Sequence, residues 1–121
     1  MIFINLSNHK SESWDQNQTN EALKYGSILD MDFPVIDPLA DEQVIKELVD
    51  KYYKLILSKA EKPNEITVHL MGEMTFTYQL VKKLQESGVN CLASTSVRTV
   101  IDLGKGMKNV FFKFERFRRY E

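Results

Sequence analysis

The sequence predicts a small Rossmann-like α/β domain that fills residues 1–121 as one unit. Its sheet is expected to be mostly parallel, of order about 2-1-3-4, with a C-terminal antiparallel hairpin. Three observations predict it. Short strand-like runs alternate with helix-patterned stretches as far as Ala93, and such alternation implies parallel strands with helices on both faces. Right-handed crossovers then leave few possible orders. Beyond Ser96 the pattern changes to two strand-like runs joined by Gly104-Lys105-Gly106-Met107-Lys108, a glycine-bearing hairpin loop. A length of 121 residues suits one domain with one core and leaves no room for a second.

Each element has its own warrant. Ile2–Leu6 is the first strand, ended by the polar turn formers Ser7-Asn8-His9-Lys10. A helix is expected from about Ser13 to Tyr25, with Ser11 or Ser13 as cap, Asp15 in its first turn and Gly26 at its stop. Ser27–Met31 reads as the second strand. Pro34 and Pro38 then exclude both a helix and a central strand. Asp41–Lys59 carries Val44, Ile45, Leu48, Val49, Tyr52, Leu55 and Ile56 on one helical face. Glu65–Leu70, with β-branched Ile66, Thr67 and Val68, is the third strand. A third helix, from about Met74 to Ser87, buries Phe76, Thr77, Leu80, Val81 and Leu84, and Gly88 ends it. Val89–Ala93 is the fourth strand, Ser94-Thr95-Ser96 a loop, and Val97–Leu103 with Asn109–Phe114 the hairpin.

Composition narrows the function classes. Apolar residues make up 43% and charged residues 27%, as in a soluble globular protein. A single cysteine, Cys91, excludes an internal disulfide and any zinc site of four cysteines, and suits a reducing, cytoplasmic compartment. The longest apolar run, Met1–Ile4, is too short for a membrane, and the start reads as a strand rather than a signal peptide. A net charge of −1 argues against duplex nucleic acid as a partner. The charge is uneven: residues 1–62 hold seven Lys/Arg and eleven Asp/Glu, residues 63–121 nine and six. An anionic ligand is drawn to the C-terminal half or the cleft it borders. No GxSxG, Walker loop or Cys–His pair marks a nucleophile, and no histidine–carboxylate cluster marks a metal or other cofactor.

Ligands of open α/β sheets bind beyond the strands' carboxyl ends, where the order reverses. Here that point lies between the first and third strands. Ser7-Asn8-His9-Lys10 should face Met71-Gly72-Glu73-Met74-Thr75, with Asp30–Pro34 and Ser94–Arg98 as rims. The candidate ligand-binding residues are Ser7, Asn8, Met71, Gly72, Thr75, Ser94, Thr95, Ser96 and Arg98; His9, Lys10 and Glu73 are the candidate catalytic groups. Gly72 permits close backbone approach, and the following helix start offers free N–H groups. Glu73 is read as a helix cap, an adenine or ribose contact, or a general base. Arg98 beside three hydroxyl residues suits phosphate. His69 reads as a packed or edge residue rather than a ligand.

Three segments together carry a resemblance: Ile2-Phe3-Ile4-Asn5-Leu6-Ser7-Asn8-His9, His69-Leu70-Met71-Gly72-Glu73-Met74-Thr75-Phe76-Thr77-Tyr78, and Cys91-Leu92-Ala93-Ser94-Thr95-Ser96-Val97-Arg98. The chain resembles small stand-alone proteins of type III CRISPR systems that are similar to the CRISPR-associated Rossmann-fold (CARF) domains. The resemblance implies a homodimer that binds cyclic oligoadenylate on its two-fold axis. It also implies a metal-independent ring nuclease that linearises this messenger and switches off antiviral signalling. The Gly72 loop has no lysine, so binding would lean on Lys10, Arg98 and backbone amides.

Two other readings stand beside the nuclease: a sensor or sponge that holds the cyclic nucleotide without cutting it, and a protein-interaction module built on Phe111–Tyr120. An edge carrying Val110, Phe111, Phe112, Phe114 and Phe117 would expose several aromatics, which also predicts a homodimer.

Overall fold

The computed structural model describes residues 1–121. Its strands are β1 (Ile2–Ser7), β2 (Ser27–Asp32), β3 (Ile66–Met71), β4 (Asn90–Gly104) and β5 (Met107–Arg119). Its helices are α1 (Gln16–Leu23), α2 (Glu42–Leu57) and α3 (Met74–Glu86). The sheet order is β2-β1-β3-β4-β5, with the first four strands parallel and β5 antiparallel to β4. The expected order holds, and the hairpin supplies the edge.

Strand alternation divides the core in two. Ile4, Leu6, Ile66, Val68, Leu70 and Cys91 point to one face, where Ile45, Val49 and Ile56 of α2 and Phe76, Leu80 and Leu84 of α3 cover them. Phe3, Leu92, Phe114 and Phe117 point to the other, under Ala22 of α1 and beside Trp14, Tyr25 and Ile28. The reversal of strand order between β1 and β3 therefore coincides with a change of the face that the helices cover. The chain end is tied down by Tyr120, whose Oη donates to the Leu70 carbonyl at 2.7 Å. No helix is long and apolar enough to cross a membrane.

Several boundaries differ from expectation. Ser11–Ser13 form a separate 3-10 turn, and Asp15, not Ser11 or Ser13, caps α1 by accepting from the Gln18 N–H at 2.8 Å. Asp41 caps α2 in the same way. Ser94-Thr95-Ser96 is not a loop: it lies inside a continuous 15-residue β4. A bulge between Thr95 and Ser96 sets Thr95 opposite Arg116 and Ser96 opposite Phe114, so Glu115 is the extra residue and the strand bends there. The hairpin is also longer than its apolar pattern suggests. From Val97 to Gly104 and back through Phe112, it leaves the domain as a two-stranded ribbon exposed on both faces. Phe114 and Phe117, expected on an exposed edge, are 6% exposed under α1, while Phe111 and Phe112 remain open.

Candidate functional site

A cleft of about 640 Å³ opens at the carboxyl ends of β1 and β3, beside the bend in β4. Its floor comes from Ser7, Asn8 and His9 after β1, from His69, Met71 and Gly72 of β3 and its turn, and from Ser94–Ser96 of β4. Ser13, Trp14, Asp15 and Gln18 form one wall, and Phe112 and Phe114 of β5 the other. This is where the reversal of strand order should put a ligand, and the volume suits a drug-sized one.

Beneath the cleft runs a row of polar side chains set by sheet register. Asp30, Asn5 and His69 are direct neighbours across β2, β1 and β3. His69 pairs with Leu92, which puts Ser94 two residues on, on the same face. Asn5 is 2% exposed. Its Nδ2 donates to Asp30 Oδ1 and to the His9 carbonyl, both at 2.8 Å. Its Oδ1 accepts from Ser7 Oγ and faces His69 Nδ1, both at 2.9 Å. Because Nδ2 meets two pure acceptors, the amide has only one satisfactory orientation, and Nδ1 of His69 must carry the proton. Nε2 is then the free acceptor, 3.0 Å from Ser94 Oγ. Burial pushes the His69 imidazole down to a pKa of about 4, with the charge of His9 adding to the effect. His69 is therefore neutral at pH 7. For Asp30, burial acts upward, but hydrogen bonds from Asn5 and Ser11 and the nearby Lys10 charge outweigh it and hold the carboxyl below its usual range.

Of the candidate residues, Ser7, Asn8, His9, Met71, Gly72, Ser94, Thr95 and Ser96 line the cleft together. Glu73 does not: its carboxylate caps α3, accepting from the Thr75 N–H at 3.0 Å and the Phe76 N–H at 2.8 Å. The Thr75 hydroxyl also donates to it, and these contacts lower its pKa. The helix-start amides expected for an anion are thus already occupied. Thr75 is spent on the same cap. Packing also keeps Gly72 small, since a Cβ there would run into the Phe33 ring. Lys10 lies outside the cleft lining, its carbonyl accepting from Ser13. Arg98 sits on the ribbon opposite Phe112 and shares its face, just beyond the cleft mouth. Asp30, expected at a rim, lies in β2 and holds the polar row from below.

Sequence reasoning misses Asn5, Trp14, Asp15 and Gln18, and reads His69 as a packed or edge residue rather than a ligand. His69 is packed, 3% exposed among Phe3, Trp14 and Phe117, but it also lines the cleft. The available signal was a polar residue at an inward position in each of three apolar strands. Cys91 is no competing nucleophile, because burial pushes its thiol up to about 12. No group of three or more His, Cys, Asp or Glu side chains is placed to hold a metal ion.

Neither the curated proteins nor the solved structures include a match to this chain. A family model described as "Uncharacterized protein MJ1673 family" matches residues 1–118, and the chain belongs to that family.

Proposed function

We propose that the protein binds cyclic oligoadenylate in this cleft and opens the ring without a metal, as a cytoplasmic homodimer that ends type III CRISPR signalling. The observation that carries the reading is the convergence of Ser7, Asn8, His9 and Ser94–Ser96 with the rings of Trp14, Phe112 and Phe114 at the point of strand reversal. Hydroxyls and amides suit ribose and phosphate oxygens, and Trp14 and Phe112 offer surfaces for adenine stacking. The resemblance of the segments around Asn8, Gly72 and Ser94 supports the ligand class.

The chemistry requires positioning more than reactive side chains. A ribose 2′-hydroxyl attacks the adjacent phosphorus, a new O–P bond forms, and the 5′-oxygen leaves, giving a 2′,3′-cyclic phosphate. His9, exposed at the cleft, is the residue suited to move the proton. Arg98, on the ribbon face that continues the cleft wall, or Lys10, next to His9, would stabilise the developing charge.

The dimer reading rests on the ribbon. Val97, Ile101, Leu103 and Phe111 line one of its faces and are 47%, 47%, 51% and 51% exposed. A two-stranded ribbon is marginal alone, and a second copy packed on this face would cover it.

One observation favours the sponge: no lysine or arginine lines the cleft itself. Incubation with cyclic tetra- and hexa-adenylate, with and without EDTA, separates the readings. Linear products ending in a cyclic phosphate, unaffected by EDTA, are expected. An intact ring that nevertheless binds tightly selects the sponge, and an intact ring that does not bind rejects both.

A further inference from the structure

The polar row under the cleft has an arrangement that ring opening does not use. Ser94 Oγ lies 3.0 Å from His69 Nε2, and His69 Nδ1 lies 2.9 Å from Asn5 Oδ1. Asn5 is itself held by Ser7, Asp30 and the His9 carbonyl. These are a hydroxyl, a base and a group that orients the base, each within hydrogen-bond reach of the next. The forced tautomer leaves Nε2 unprotonated and turned to the hydroxyl. Both Ser94 and His69 line the cleft.

We propose that Ser94 is a base-activated nucleophile, with His69 as its general base and Asn5 as the positioning residue, directed at phosphoryl groups that enter the cleft. In the step, Ser94 Oγ forms a bond to phosphorus, the bond from phosphorus to the leaving group breaks, and the hydroxyl proton passes to His69 Nε2. A buried aromatic setting and the contacts from Asn5 hold the imidazole in place. The elements facing His69 bring Asn5, His9, Trp14, Ser94 and Phe117; of these only His9 carries an ionisable side chain, and Asp30 lies behind Asn5. The proposal is independent of the cyclic-nucleotide reading, because it concerns a hydroxyl of the protein and not of a ligand.

The test uses diisopropyl fluorophosphate on the intact protein, followed by intact mass and peptide mapping. A single adduct on Ser94 is expected, with fluoride lost and no label in Ser94→Ala. His69→Gln, shown folded by circular dichroism, should label more slowly by about a hundredfold. In the unaltered protein the rate should be level between pH 8 and 6 and fall as pH drops through about 4. Absence of an adduct on Ser94 overturns the proposal, as does a rate unchanged in His69→Gln. If that variant does not fold, a wild-type rate that climbs steadily up to pH 9, as for an unassisted hydroxyl, overturns it equally.

Discussion

Acid should weaken this fold through one histidine. His69 is 3% exposed, and its imidazole is pushed down to a pKa of about 4 against an ordinary 6.5. The unfolded chain therefore binds a proton between these values that the folded chain refuses, and stability rises with pH across the window. Its contribution is complete above about pH 6.5 and is lost as pH falls towards 4. A gap of about 2.5 in pKa corresponds to roughly 3 kcal/mol, a large share of a small domain's stability. The assay is urea unfolding at pH 7, 6, 5 and 4 for the wild type and for His69→Gln. Asp30 and Glu73, whose carboxyls are held below their ordinary values, also cost stability in acid, but lower on the scale and equally in both proteins. The wild type should lose roughly 3 kcal/mol more than the variant between pH 7 and 4. Parallel curves, with a gap constant to about 1 kcal/mol, would refute the buried neutral imidazole.

Three further outcomes follow from named contacts. Asn5→Ala removes a buried side chain that satisfies Ser7, Asp30, the His9 carbonyl and His69, and should cost about 3 kcal/mol in urea unfolding; a cost under about 1 kcal/mol would mean that the row is not closed. Gly72→Val puts a side chain into the Phe33 ring and should cost about 1–3 kcal/mol, while Phe33→Ala in the same chain should return part of it; no recovery in the double variant would contradict the clash. Phe111→Asp puts a charge on the exposed ribbon face and should give the single-chain mass by light scattering where the wild type gives twice that mass, with the melting temperature of the body unchanged.

The topology was legible because local signals agreed with one another. Alternating apolar strands, the periodic face of α2 and the glycines after α1 and α3 all point to one sheet order. The polar row was not legible, because Asn5 and His69 stand 64 positions apart and only register joins them. Each alone looks like a tolerated polar residue in a strand. Ser94-Thr95-Ser96 misled in the opposite way. Three small hydroxyl residues lack an apolar alternation, yet pairing with β5 across a bulge keeps them in the strand. The aromatic edge is expected to expose several rings, and Phe111 and Phe112 are open; which rings turn inward was not legible, because the extra Glu115 brings both Phe114 and Phe117 to the inner face under α1. Glu73 was legible only as a set of alternatives, since a carboxylate before a helix can cap it or reach a ligand; the two N–H groups it accepts from decide for the cap.

The most direct test of the account is a calorimetric titration of cyclic tetra-adenylate into the wild type and into Ser96→Trp, which fills the cleft from β4. Tight binding to the wild type at one ring per two chains is expected, with loss of that binding in a variant that still folds. Binding that survives in Ser96→Trp would place the ligand elsewhere, and no heat of binding to the wild type at micromolar concentrations would contradict the function itself.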